Sequence, residues 1–254
     1  AHATGYVKTS LTAGLAGFSN EGDAAGDSYD SVENLVGSSF DDTLIGSSAD
    51  NVITGGDGDD VLEGMAGADQ LIGGNGSNTA SYAYSPDQGG GLGVTVSLLD
   101  PALNTGDASG DTFSNIQNLT GSAYHDTLTG DASDNTLRGG AGDDQITGGA
   151  GTDKLYGDAG SDALSDDLAG TAELYGGDGD DSITFTAYDA NKDIINGGDG
   201  SDTLISAYAG SGRSTVDLHS GTISFPSGSA NLISIENYTA SGSNTAYVYA
   251  GNGD

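Results

Sequence analysis

Aspartates recur at a fixed spacing along this sequence, each inside the same glycine-rich frame of nine residues. From Gly139 the chain reads GGAGDDQIT, GGAGTDKLY and GDAGSDALS, with Gly at positions one and four, Asp at six and Ile or Leu at eight. Glycine permits backbone with positive φ, so six residues can turn tightly and point their carbonyls inward. The Asp carboxylate joins those carbonyls. Such a set of oxygens suits Ca²⁺, which takes six to eight oxygen ligands.

The last three positions of each unit predict a short strand that positions the loop. In a strand, the side chain at position eight faces a core while those at positions seven and nine face water. One unit cannot close a core, but two make a flattened coil of eighteen residues. Each loop then stacks on the loop two units later, and the pair can supply the ligands. The frame recurs at 55–63, 64–72, 176–184 and 197–205.

The run of consecutive units resembles the RTX (repeats-in-toxin) family of hemolysin-type, calcium-binding nonapeptide repeats. The resemblance implies an all-β protein, a right-handed parallel β-roll (β-solenoid), that binds several Ca²⁺ ions. It also implies export from a bacterium by type I secretion. By this resemblance, carbonyls at alternate loop positions complete each calcium site. The candidate metal ligands are then Asp42, Gly55, Asp57, Gly58, Asp60, Gly64, Ala66, Asp69, Gly73, Asn75, Asn78, Asp126, Gly139, Ala141, Gly142, Asp144, Gly148, Ala150, Asp153, Gly157, Ala159, Asp162, Gly176, Asp178, Gly179, Asp181, Asp193, Gly197, Asp199 and Asp202.

Longer strand modules alternate with the repeats. An alternating strand, a loop and an I/V-E/Q-N-L/Y strand occur three times, at the N-terminus, before Gly121 and after Ile205, and these strands could extend the same sheets. We therefore predict a five-part division: strand module 1–36, repeats 37–81, strand module 82–120, repeats 121–205 and strand module 206–254. The chain starts without Met and stops in mid-motif at Asp254, which predicts a piece of a longer repetitive protein.

Charge sets the expected partners. Thirty-eight acidic residues face five basic ones, for a net charge of −33. Such a chain repels itself without cations, so we expect it to be largely unfolded without calcium. Divalent cations are its natural partners, and nucleic acid and membrane insertion are not expected. No apolar run reaches membrane-spanning length.

Catalytic motifs are not apparent in the sequence. His2, His125 and His219 are scattered without HExxH spacing, and no GxSxG elbow occurs. We therefore expect no enzyme activity from this segment and predict an extracellular structural or spacer role. Two alternatives stay open. The segment could be the non-catalytic tail of a secreted enzyme, or a self-associating part of an adhesin or surface-layer protein.

The frame also predicts which loops pair. The best calcium sites are expected between the loops that begin at 139 and 157, 157 and 176, and 176 and 197, with 130/148 and 55/73 weaker. The loops at 46 and 73 carry Asn at position six, and the loop at 37 lacks later glycines, so sites there should be weak or missing. The unit 166–175 has ten residues instead of nine. If its loop accommodates the additional residue, the strands stay in register on the outer surface. Arg138, Tyr156 and Tyr175 then align, and Lys154 lies beside Glu173.

Overall fold

A computed structural model describes residues 5–12, 15, 19–166, 172–185, 192–206, 214–217, 222–225, 228–233, 235, 237–240 and 246–249. The chain divides into two compact units, Ala1–Ala123 and Tyr124–Asp254. The regular elements among the described residues are strands, apart from two 3-10 turns at Pro101–Leu103 and Gly106–Ala108. The five-part division stays a prediction, and the mid-motif end at Asp254 lies outside the described residues.

The first unit contains eleven short strands, and most of them are three to six residues long because each repeat leaves only that much chain between its turns. Their bounds are β1 Val7–Ser10, β2 Glu21–Gly22, β3 Asn34–Val36, β4 Thr43–Ile45, β5 Val52–Asp57, β6 Val61–Glu63, β7 Gln70–Asn75, β8 Thr79–Ser81, β9 Leu92–Ser97, β10 Thr112–Ser114 and β11 Asn118–Thr120.

Parallel strands from successive coils build two sheets in this unit. One has the order β2-β1-β4-β6-β8-β11 and the other β3-β5-β7-β10, and only the β1–β2 pair is antiparallel among these strands. Position-eight side chains form the core between them: Leu44 pairs with Leu62, and Leu62 with Ala80. The residues of this row are fully buried.

The second unit repeats this plan. Its strands are β12 His125–Thr129, β13 Thr136–Ala141, β14 Gln145–Thr147, β15 Lys154–Ala159, β16 Ala163–Asp166, β17 Glu173–Asp178, β18 Ser182–Phe185, β19 Lys192–Asp199, β20 Thr203–Ser206, β21 Ser214–Asp217, β22 Thr222–Phe225, β23 Gly228–Ile233, β24 Asn237–Ala240 and β25 Ala246–Tyr249.

The strands of the second unit alternate between two parallel stacks. One runs β12-β14-β16-β18-β20-β24; the other runs β13-β15-β17-β19-β23 and continues through β22, β21 and β25 with antiparallel pairs at β22. The core row Leu128, Ile146, Leu164, Ile183 and Leu204 is at most 1 % exposed. These stacked parallel coils confirm the predicted β-roll.

Two sequence expectations about register are confirmed. The E/Q-N-L/Y strands extend the sheets: β3 pairs with β5, β11 with β8, and β24 with β20. The irregular coils also keep their strands in register, because Tyr156 pairs with Tyr175 and Leu174 pairs with Ile195.

The predicted outer ladder is present. The Arg138 guanidinium lies 4.5 Å from the centroid of the Tyr156 ring, and the Tyr156 and Tyr175 rings stack at 5.0 Å. Lys154 Nζ lies 3.0 Å from Glu173 Oε1. Arg138 also forms a salt bridge with Asp158, a contact that the frame alone does not predict.

Candidate calcium sites

Each site begins with a glycine whose missing side chain leaves room for oxygens. A Cβ on Gly139 would contact Asp144 Oδ2 and lie 2.8 Å from the carbonyl oxygen of Gly157 in the next coil. Gly140 and Gly142 have φ of +117° and +114°, which brings the loop around tightly. A carboxylate oxygen and a carbonyl oxygen thus converge beside position one.

The position-six side chains form a hydrogen-bonded ladder along the roll. The backbone N–H of each residue donates to Oδ1 of the Asp in the following coil, at 2.8–2.9 Å. The pairs are Asp126 with Asp144, Asp144 with Asp162, Asp162 with Asp181, and Asp181 with Asp202. These Asp residues are at most 2 % exposed. Oδ1 of each acceptor carboxylate is therefore held by the neighbouring coil, and Oδ2 takes no part in this ladder.

The second carboxylate oxygen is the one that a cation could use. Oδ2 of Asp60, Asp69, Asp144, Asp162 and Asp181 is buried and accepts no hydrogen bond. Buried acceptors are normally paired, because an unmade hydrogen bond leaves the cost of desolvation uncompensated. Calcium favours carboxylate and carbonyl oxygens. The oxygens brought together here therefore fit Ca²⁺.

Burial also perturbs the acidity of these groups. It raises the pKa of Asp144 to about 8 and that of Asp69 and Asp181 to about 7, and neighbouring carboxylates add to the effect. The pKa of Asp60 and Asp162 rises to about 6 for the same main reason. The backbone N–H that each accepts opposes the rise. Without a cation, the ladder therefore holds protons more tightly than free aspartate does.

The predicted loop pairs are stacked in the structure. Gly139, Gly157 and Gly176 each place the position-six carboxylate of their own loop against the position-one carbonyl of the loop predicted to pair with it. Gly55 does the same with Asp60 and the Gly73 carbonyl. At Gly130, an Asn135 oxygen takes the place of the carboxylate.

Asparagines at position six satisfy their loops without a metal. Asn78 Nδ2 donates to the carbonyl of Asn115 at 3.1 Å, and Asn51 Nδ2 donates to that of Glu33 at 2.9 Å. At Asn78 the amide N–H thus occupies the carbonyl that faces Gly73, whereas at Asn51 the amide oxygen faces Gly46 beside the carbonyl of Gly64. Asp42 also differs, because its carboxylate already accepts the N–H of Val7 and both the N–H and hydroxyl of Ser38.

Position-three residues contact the neighbouring coils through their backbone carbonyls, and Asn75 Nδ2 also donates to Asp57 Oδ1 at 2.7 Å. The side chains of Asp57, Asp178 and Asp199 are exposed. The carbonyls of Asn75, Ala159, Asp178 and Asp199 accept the N–H of the position-four residue one coil earlier, which is Gly58, Gly142, Gly160 and Gly179 respectively. Ala66, Ala141 and Ala150 occupy the same position in their loops. The side chain of Asp193 lies outside the described residues.

Two buried aspartates were missed by the frame. Asp166 stands at position one in place of Gly, and its Oδ2 converges with Asp153 Oδ2 where a Cβ on Gly148 would lie, at 3.1 and 2.7 Å. Asp111 accepts the N–H of Asp69 at 2.8 Å and so belongs to the ladder of the first unit. For Asp111 a signal exists: Gly106, Asp111 and Phe113 fit positions one, six and eight.

A second ladder runs along the exposed edge of the loops in the opposite sense. At position five, the side chain accepts the N–H of the residue one coil later: Asp41 Oδ1 from Asp59, and Asp143 Oδ1 from Ser161, at 2.8 and 2.9 Å. His125 Nδ1 accepts the N–H of Asp143 in the same way. This histidine therefore has a structural contact in the roll.

Carbonyls are essential to any metal site of this geometry. No group of three or more His, Cys, Asp or Glu side chains converges on a common point within the described part of the chain. The position-six carboxylates meet backbone oxygens instead. The family model of the RTX calcium-binding nonapeptide repeat (4 copies) matches residues 29–60, 36–71, 45–80, 111–146, 129–164, 168–185 and 189–216.

This chain belongs to the RTX calcium-binding repeat family. The matches cover more than half of it and resume at residue 111, where Asp111 rejoins the ladder. RTX repeats bind Ca²⁺, several ions per array, so calcium is the cofactor of this β-roll. No curated protein matches the chain. Among the described residues, no helix is long and apolar enough to span a bilayer.

Proposed function

We propose that this RTX segment is a structural spacer of a secreted or cell-surface bacterial protein and that it folds when calcium binds between its stacked loops. The observation that carries the proposal is the set of buried carboxylates of Asp60, Asp144, Asp162 and Asp181, whose Oδ2 atoms each face a position-one glycine together with a carbonyl of the next coil. The ligands proposed are the position-six Asp residues with the loop carbonyls. RTX repeats of this kind form a structural domain and occur typically in secreted proteins.

Electrostatics supports the coupling of folding to calcium. Neighbouring carboxylates in a column lie about one strand spacing apart, roughly 4.8 Å. Two ionised groups at that separation repel by about 3 kcal/mol at an effective dielectric constant of about 20. Each ladder repeats this penalty in every coil. A divalent cation between the loops removes it and contributes its binding energy only in the folded state.

A calcium titration followed by far-UV circular dichroism tests the proposal. In excess chelator we expect a largely unfolded chain, and a β spectrum should develop on addition of Ca²⁺. Sites of extracellular modules have Kd values of about 10⁻⁴–10⁻³ M, which sets the range to cover. Mg²⁺ is the control, because it demands a smaller and more rigid shell. A strong β spectrum in excess chelator would refute coupled folding.

A further inference from the structure

The segment between the repeat blocks places a tyrosine against the last carboxylate of one Asp column. Asp69 donates its N–H to Asp111 Oδ1 across 42 residues, where the regular ladder spans 18. Leu71 pairs with Phe113 in the adjoining strands β7 and β10. Asp111 therefore holds the position of a regular repeat Asp although 24 additional residues precede it.

The second oxygen of Asp111 is occupied, unlike that of Asp69. Tyr82 Oη donates to Asp111 Oδ2 at 2.8 Å. Tyr82 is 0 % and Asp111 is 1 % exposed, so no solvent competes for this contact. Oδ2 of Asp69 accepts no hydrogen bond, whereas Oδ2 of Asp111 accepts one from the Tyr82 hydroxyl.

The glycine hollow is also missing at Asp111. Gly106 stands at position one of this loop, but a Cβ added there would lie 3.2 Å from Val94 and 3.4 Å from Gln88 rather than against the Asp111 carboxylate. The loop that begins at Gly64 differs, because a Cβ there would contact Asp69 Oδ2. The hollow in which a position-one glycine faces the carboxylate of its own loop is therefore not repeated at Gly106.

The backbone holds Tyr82 firmly in this place. Its N–H donates to the carbonyl of Thr120 at 2.9 Å. On either side, the Ser81 hydroxyl and the Tyr84 N–H donate to the Glu63 carboxylate, both at 2.8 Å. Glu63 stands at position nine, which normally faces water, yet it is 2 % exposed because this segment covers it.

We propose that Tyr82 replaces calcium at the end of this column. Its hydroxyl hydrogen satisfies Asp111 Oδ2, so the column ends here with a hydrogen bond, and Asp111 binds no cation. The inference rests on the proposed function, because it assigns one position of the ladder a role without metal. Asn78 replaces a calcium contact in a different way, by donating an amide N–H to the carbonyl of Asn115.

Calcium counting by isothermal titration calorimetry on the full chain separates the two claims. We expect Asp111→Asn to bind as many ions as the wild type, whereas Asp69→Asn, the matched change one coil away, should lose at least one. Loss of an ion in Asp111→Asn would overturn the role of Tyr82. An unchanged count in Asp69→Asn would instead contradict the proposed calcium site in this column.

A double-mutant cycle tests the hydroxyl itself in saturating calcium. Tyr82→Phe keeps the buried ring but leaves Asp111 Oδ2 without a donor, so the thermal midpoint should fall by about 5 °C. Asp111→Asn in the same chain should remove most of that fall, because no charge then lacks a partner. Tyr29→Phe, where the hydroxyl lies 3.5 Å from exposed Asp27, is the control and should show no shift.

Two results would overturn the proposal. One is an additive cycle, in which Tyr82→Phe lowers the thermal midpoint equally in the wild type and in the Asp111→Asn variant. The other is failure of Asp111→Asn to fold in saturating calcium, because an amide at position six is already tolerated at Asn51 and Asn78.

Discussion

Replacing Asp162 by Asn should change folding in opposite directions with and without calcium. Burial raises the pKa of Asp162 from 3.8 to about 6 in the calcium-free fold. Because the folded chain then holds the proton more tightly than the unfolded chain, stability is lost as the pH rises from about 4 to above 6. The loss at pH 8 is about 3 kcal/mol. Asn carries no charge, so the Asp162→Asn variant does not lose this stability.

The amide should also fit the loop. Its oxygen can accept the N–H of Asp144, as Asp162 Oδ1 does at 2.8 Å, and its Nδ2 can donate to the carbonyl of Gly176. Asn78 already bonds in this way, because its Oδ1 accepts the N–H of Asp60 at 3.0 Å and its Nδ2 donates to the carbonyl of Asn115 at 3.1 Å. Asp162→Ala supplies neither group and leaves the buried N–H of Asp144 unpaired, which costs about 1–3 kcal/mol.

Two measurements separate the effects: folding induced by an osmolyte at pH 8 in excess chelator, where the chain is otherwise largely unfolded, and calorimetry with calcium. In excess chelator, Asp162→Asn should be more stable than the wild type by up to about 3 kcal/mol, and Asp162→Ala less stable. With calcium, both should lose ions, from two neighbouring sites because the loop lies in mid-stack. Asp143→Asn removes an exposed charge from the preceding coil and is the control. If Asn destabilises the calcium-free chain as much as Ala, or if only one ion is lost, the stacked-loop account is wrong.

Three further outcomes follow from the same geometry. Calcium affinity should rise from pH 5 to pH 8 with proton release on binding, since burial raises the pKa of Asp144 to about 8 and protons compete with the metal; calorimetry in two buffers measures both. Gly139→Ala should reduce the calcium count, because its Cβ would displace Asp144 Oδ2 or the Gly157 carbonyl. Leu155→Ala, at a position 0 % exposed, should cost about 2–5 kcal/mol in thermal unfolding with calcium; a cost below about 1 kcal/mol would contradict the tight core.

The nine-residue spacing predicted most of the fold because it fixes three things at once: the turn, the inward side chain and the stacking partner. It placed Tyr156 beside Tyr175 despite an irregular coil between them. The spacing failed to predict the next contact where an insertion separates two repeats. Counting eighteen residues from Asp69 leads to Asp87, which instead accepts the N–H groups of Gly89 and Gly91 in a surface turn. Spacing carries no information on how long an insertion is, so the pairing of Asp69 with Asp111 and the contact with Tyr82 were not predictable, although the frame that begins at Gly106 marks Asp111 itself.

The Asn contacts were missed for another reason. An Asp-to-Asn change predicts a weaker metal site, since a charge is lost. It does not show that the new N–H finds a carbonyl, as Asn78 does at Asn115. That outcome depends on where the carbonyl of another coil lies, which is a property of the stacked structure. Asp166 was missed for a further reason: it stands at position one, where the frame expects glycine and predicts no carboxylate.

The two opposed ladders determine how the length of such a protein can change. Position six takes its acceptor from the coil ahead, and position five takes its acceptor from the coil behind. Both partners are defined by position in the repeat, so removing the eighteen residues 139–156 would bring Asp126 under Asp162 and keep the type of contact in that column. The other column would lose Asp153, the acceptor of the Asn135 N–H, and would place Ala172 there instead. Removing nine residues would set two strands of one sheet in succession and break both ladders. The reach of the segment can therefore change in steps of one coil, at a cost that depends on which residue then stands at position six.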